Sequence, residues 1–150
     1  MIRTSHFQVA PVAFAGLLAL AATLAAGGAR AADLKLSFEG VKTPTGAVMA
    51  AVYDSEEAYE AGKGPVSGQM ILVKGAAVSV TLTGLKPGRY AVKAFHDVDG
   101  DGKMATNPFG TPTEPFAFSN NAVVAMGPPK WAAAVFDVAE TGAVQTIRID

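Results

Sequence analysis

The chain has no cysteine, and that absence removes several chemistries at once. No disulfide can staple the fold, no thiolate can act as a nucleophile, and no acylated cysteine can anchor the chain to a membrane. Histidine is nearly as scarce, with only His6 and His96, so a zinc site built from two or three imidazoles is excluded. No serine stands in a nucleophile elbow. Basic residues are few and scattered, twelve Lys and Arg against thirteen Asp and Glu. Nucleic acid needs a concentrated basic patch, and so does an electrostatic hold on anionic lipid; neither partner fits this composition.

What is present begins with a pattern for export. Residues 1–31 hold Arg3, an uncharged apolar run over 9–26, and then Gly27-Gly28-Ala29-Arg30-Ala31. The small residues Ala29 and Ala31 predict signal-peptidase cleavage before Ala32. The apolar run reaches the lower limit of roughly 17–25 residues for a spanning helix, but alanine dominates it and Pro11 and Thr23 weaken it. The expected product is therefore residues 32–150, one domain, periplasmic or secreted, with no membrane span in the mature chain.

Period-two alternation dominates that product. Leu34, Leu36 and Phe38 alternate with Lys35, Ser37 and Glu39, and Val78, Val80 and Leu82 alternate with Ser79, Thr81 and Thr83. Each pattern predicts a strand with one wet face. Residues 47–53, 69–73 and 89–95 are apolar enough for buried strands, and 134–138 and 144–149 complete a set of about seven. Turns are predicted at Thr43-Pro44-Thr45-Gly46, Lys74-Gly75 and Lys86-Pro87-Gly88. One short helix is predicted after the second strand, with Asp54 as its cap, Glu57 three residues on and Gly62 as its stop; its acidic residues Glu56, Glu57 and Glu60 read as a solvated face. The fold class is all-β: an antiparallel, immunoglobulin-like β-sandwich with one short helix and one long loop.

One stretch breaks the alternation. Residues 104–131 contain Pro108, Pro112, Pro115, Pro128 and Pro129, interspersed with Phe109, Phe116, Phe118 and Trp131. Prolines at this density deny long ladder pairing. A connection this long inside one domain is a functional or a disordered loop, and four large aromatics argue for one pinned to the sandwich.

Just before it stands His96-Asp97-Val98-Asp99-Gly100-Asp101-Gly102, three carboxylates at alternate positions followed by glycine. Such spacing lets alternate side chains fold around one hard cation, while Gly100 and Gly102 supply backbone conformations that a Cβ makes costly. The expected ligands are Asp97, Asp99, Asp101 and the carbonyl of Lys103. Counting from Asp97, the twelfth position holds Pro108 where a helix-loop-helix calcium site has glutamate, and the preceding residues read as strand. The remaining oxygens are expected from Asn107, Glu114, Asn120 or water, with calcium favoured over magnesium because several carboxylates crowd one loop. A plain polar hairpin turn is the alternative.

His96 shares a strand face with Tyr90, Val92 and Ala94 at the strand's end. A histidine bonded to backbone where strand meets loop is the simpler reading. The catalytic alternative makes it a general base with Asp97 or Glu114 in a small hydrolase. Phe118, Ser119, Asn120 and Asn121 form a polar step between apolar neighbours, which can line a pocket or make a turn.

The spaced motifs Gly88-Arg89-Tyr90-Ala91-Val92, His96-Asp97, Asp99-Gly100-Asp101-Gly102-Lys103, Gly110-Thr111-Pro112-Thr113-Glu114, Phe118-Ser119-Asn120-Asn121-Ala122 and Gly127-Pro128-Pro129 resemble the exported bacterial family called domain of unknown function 2141. The resemblance covers essentially the whole mature chain. It implies an exported β-sandwich of transthyretin-like or carboxypeptidase-regulatory-like shape, with no established activity. The transthyretin-like hydrolase of 5-hydroxyisourate is similar in shape alone: its several histidines and Tyr-Arg-Gly-Ser tail are missing here. Together these readings predict a non-enzymatic, calcium-binding exported module that presents its long loop to a ligand or an envelope protein.

Overall fold

Strict alternation leaves a strand one choice of inner face, and β1 (Ala32–Glu39) takes it: Ala32, Leu34, Leu36 and Phe38 are buried while Asp33, Lys35 and Glu39 face solvent. The computed structural model describes residues 30–149. The expected export signal over 1–31 lies, apart from Arg30 and Ala31, outside the described residues. After β1 come β2 (Ala47–Tyr53), α1 (Glu56–Ala61), β3 (Ser67–Leu72), β4 (Ala77–Leu85) and β5 (Gly88–Asp97). Then follow β6 (Phe116–Phe118), a 3-10 turn (Ser119–Asn121), α2 (Trp131–Ala134), β7 (Phe136–Val138) and β8 (Ala143–Arg148).

These strands make an all-β sandwich. One sheet runs β4-β1-β8; the other runs β3-β2-β5, with β6 and β7 sharing the far edge of β5. Leu36 and Phe38 of β1 meet Val48 and Val52 of β2, Val92 of β5 and Ile147 of β8 between the two sheets. Each such side chain taken from water stabilises the fold by about 1.5–3 kcal/mol. At the corner before β5, the Tyr90 hydroxyl donates to the Lys86 carbonyl at 2.7 Å, the tie that fixes a strand entry in many sandwiches.

A second, smaller core lies on the opposite face of β2 and β5, where Tyr53, Tyr59, Ala91, Phe118, Trp131 and Ala134 cluster. Tyr59 stands edge-on to Tyr53 at 5.7 Å and to Trp131 at 5.8 Å, an arrangement that adds about 0.5–1.5 kcal/mol per pair beyond burial. Burial pushes the Tyr59 hydroxyl up to about 12, with the neighbouring Glu60 charge adding to the shift. That hydroxyl donates to the Pro129 carbonyl at 3.0 Å, which pins the proline-rich segment to α1.

The structure departs from the sequence reading in four places. Among the described residues there are eight strands where about seven were expected, because Phe116–Phe118 pairs with Lys93–Phe95; three residues placed just after Pro115 escape a period-two search, and proline is tolerated where an edge strand begins. The sheets are not wholly antiparallel, since β8 runs parallel to β1. A tight turn closed by Gly142 N–H on the Ala139 carbonyl carries the chain from β7 in one sheet to β8 in the other, so β8 arrives beside β1 without a hairpin. Residues 131–134 form a helical turn and only 136–138 a strand, as three successive alanines favour helix. The cap of α1 is Ser55, whose side chain accepts from the Ala58 N–H, and not Asp54. Gly62 closes that helix in the left-handed conformation, as expected.

Ser119 joins the layers. Fully buried, its hydroxyl accepts from the Val92 N–H at 2.8 Å and donates to the Ala134 carbonyl at 2.6 Å. Ser119→Ala strands both backbone groups, and we expect a loss of about 1–3 kcal/mol. Urea unfolding should show it as a lower midpoint at unchanged slope.

Candidate functional site

The acidic loop leaves the end of β5, and its shape follows from carboxylates taking backbone N–H groups. Asp97 accepts from Gly100 through Oδ1 at 2.8 Å and from Gly102 through Oδ2 at 2.9 Å. Asp99 accepts from the Asp101 N–H at 3.1 Å, and Asp101 from the Lys103 N–H at 2.7 Å. Gly100 and Gly102 sit at φ +78° and +77°, the left-handed region that the sequence pattern required. One side chain from beyond the loop completes it. Glu114, buried, accepts from Val98 at 2.8 Å and from Ala105 at 3.0 Å, and so clamps the loop's beginning to its end.

Three carboxylates thereby converge. Oxygens of Asp97, Asp99 and Glu114 all lie within 4.8 Å of one another. Two oxygens sharing one calcium at 2.3–2.6 Å are separated by at most about 5 Å, so this spacing suits a single ion. The donors are all oxygen, which suits a hard cation. Asp97 and Glu114 are buried, and among the described residues no lysine or arginine forms an ion pair with any of the three. The Asp101 carboxylate, also expected as a ligand, lies outside the converging set, and both Asp101 and Lys103 are exposed.

The other expected contributors go elsewhere. Asn107 accepts from the Phe109 and Thr111 N–H groups at 2.9 and 3.0 Å and so shapes the tip of a small hairpin closed by the Thr106–Pro112 bridge. Asn120 donates to the carbonyls of Ala133 and Val135 at 3.3 and 2.8 Å. Asn121 accepts from the Arg148 N–H at 2.7 Å, which engages the edge of β8. Both asparagines hold positive φ, 58° and 50°, and with Ser119 they fasten the segment after β6 to α2, β5 and β8. Phe118 belongs to the second core.

His96 is 1% exposed and its Nε2 lies 2.7 Å from the Thr45 carbonyl, to which it donates. Neighbouring residues on a strand point to opposite faces. The imidazole therefore faces the turn before β2, while Asp97 turns into the acidic loop, and Glu114 is committed to Val98 and Ala105. The structure does not join His96 to either carboxylate.

Glu60 lies on the exposed face of α1 expected for it, and there its Oε1 also accepts from the Trp131 N–H at 2.8 Å while its Oε2 pairs with Lys130 at 2.9 Å. The Trp131 bond, helped by Lys130, holds its pKa below the usual carboxylate range. Nothing in helical periodicity identifies such a partner, because Trp131 is far away along the chain.

No curated protein and no solved structure matches this chain. A family model described as "Uncharacterized protein conserved in bacteria (DUF2141)" matches residues 36–147, a span that holds most of both sheets, the acidic loop and Glu114. The match covers well over half of the chain, which therefore belongs to that family.

Proposed function

We propose that this protein is an exported, calcium-binding β-sandwich module in which the ion stiffens the loop after β5 and holds the proline- and aromatic-rich segment as a binding surface. The observation that carries the reading is the convergence of Asp97, Asp99 and Glu114 without a basic partner. Crowded carboxylates repel one another in the absence of a cation, and a mere turn has no need of that repulsion. Asp101 and the Lys103 carbonyl are the further oxygens that the loop spacing proposes, and water completes the six to eight that calcium takes. The bound ion would supply charge neutralisation and rigidity, while Glu114 couples it to the segment that begins β6. Export is supported by the apolar run over 9–26 and the small residues before Ala32; cleavage there leaves β1 whole.

Melting curves test the metal. Calcium should raise the melting temperature and chelator should reverse it, by an amount equivalent to about 2.7 kcal/mol at a hundredfold excess over Kd. Identical curves in calcium and chelator would remove calcium from the reading. Intact mass of the protein from the exported fraction should give Ala32 as the first residue; a retained leader would remove the export half.

A further inference from the structure

The outer face of the β3-β2-β5-β6 sheet is a hydrophobic floor with one cation in it. Strand register aligns two cross-strand rows there. The first is Met70, Met49, Phe95 and Phe116, apolar throughout. The second is Gly68, Ala51, Lys93 and Phe118, in which the two successive positions on one side of the lysine carry almost no side chain. Met104, Pro112, Val124 and Pro128 from the long segment line the opposite side, and the groove between encloses about 980 Å³. That volume lies at the upper end of the range of small-molecule sites, roughly 300–1,000 Å³.

Two features of the floor are not demanded by the fold. A Cβ added at Gly68 would meet nothing within 4 Å, and its φ lies outside the left-handed region, so neither packing nor backbone requires glycine in mid-strand. Glycine in a strand interior often marks a bulge, a bend or a close approach of a ligand or another backbone, and the register of β3 on β2 runs unbroken through Gly68. The second feature is the charge. Lys93 donates to the Tyr59 carbonyl and stands 4.3 Å from the Tyr59 ring centroid. Among the described residues no carboxylate comes within ion-pair distance of it. Burial lowers its pKa, and the more distant Glu60 only partly opposes this. A half-buried ammonium that keeps further N–H donors beside an apolar groove is complementary to an anion attached to an apolar body.

We propose that this groove binds a small amphipathic monoanion, an acyl chain or apolar ring system bearing one carboxylate-like head, with Lys93 pairing the head and the Met49–Met70–Phe95–Phe116 row taking the body. The assignment rests on reading the long segment as a binding surface, but not on the metal. The single positive charge selects the anionic head. The methionines, unbranched and polarizable, adapt to chains of differing shape.

The test follows the methionine methyl resonances of the purified protein, in calcium and in chelator, as dodecanoate or dodecan-1-ol is added. Dodecanoate should shift the Met49 and Met70 signals saturably below about 1 mM, an affinity within reach of one apolar chain plus one ion pair. Lys93→Met should weaken dodecanoate about tenfold or more, while dodecan-1-ol changes by less than about threefold because its apolar contacts remain. Gly68→Val adds volume at an exposed strand position that can hold it, so it should fold normally and block both ligands. The proposal falls if neither methyl responds saturably to dodecanoate. It falls also if Lys93→Met weakens both ligands equally, or if Gly68→Val binds like the parent. A calcium-dependent rise in melting temperature without dodecanoate binding would sink the groove and spare the metal; binding with no calcium effect on melting would do the reverse.

Discussion

Gly46→Ala should cost about 3–5 kcal/mol or abolish folding, the largest effect expected of any single methyl group added to this protein. A Cβ built on Gly46 would lie 1.9 Å from the Asp97 carbonyl oxygen and 2.9 Å from its carbon. Both are backbone atoms, so no side chain can rotate away. The residue also sits at φ +68°, where an L-residue is disfavoured by roughly 1–2 kcal/mol before any clash. The damage would not stay local. Thr45 beside it takes the His96 imidazole, Gly46 accepts from the Val73 N–H at 3.0 Å, and Asp97 starts the acidic loop. Relief of the clash must therefore separate the start of β2 from the end of β5, where Ala47 pairs with Asp97. Chemical denaturation with far-ultraviolet circular dichroism measures the loss. A Gly46→Ala protein within about 1 kcal/mol of the parent would show that this contact is looser than the geometry states.

The second large effect is expected at Glu114, and it separates the clamp from the metal. Its two oxygens accept from two different N–H groups, those of Val98 and Ala105. In Glu114→Gln the amide oxygen can satisfy one of them, but the NH₂ group then faces the other donor. An orphaned buried donor costs about 1–3 kcal/mol, so the variant should be less stable even in chelator. If the carboxylate also binds calcium, the variant loses most of the calcium-induced gain in addition. Asp101→Asn is the contrast, because Asp101 is exposed and lies outside the converging set; in chelator it should fall within about 0.5 kcal/mol of the parent, as surface substitutions do. Parallel urea titrations in calcium and in chelator read both terms. Should Glu114→Gln keep the parent's stability in chelator and its full response to calcium, Glu114 neither clamps the loop nor takes part in holding the ion.

Much of the fold was legible because a strand's side-chain period is two. Leu34, Leu36 and Phe38 name their own face, and the structure buries all three. The turn at Thr43-Pro44-Thr45-Gly46 was equally readable, since glycine after Pro and Thr points to a conformation other residues avoid. The site was legible only in part. Asp97, Asp99 and the two loop glycines declare themselves by spacing, and Glu114 appeared among several candidate donors. Choosing it over Asn107 and Asn120 was beyond any pattern, because all three stand in the same proline-rich stretch. What separates them is where β6 attaches to β5: the pairing of Phe116 with Phe95 brings residue 114 back over the loop that leaves the same strand.

From its sequence by itself this protein has a chain free of thiols, a row of alternating strands, and an acidic loop whose glycines can turn left-handed; these follow from side-chain chemistry and local backbone sterics. Tertiary structure alone decided that β8 runs parallel to β1, that Glu60 holds Trp131, that Ser119 and its asparagine neighbours fasten layers together, and that Lys93 and Gly68 line one apolar groove. Each of those depends on which distant segments meet. That is settled by the joint burial of two sheets and the satisfaction of their backbone groups, and neither quantity is a property of any short stretch of residues.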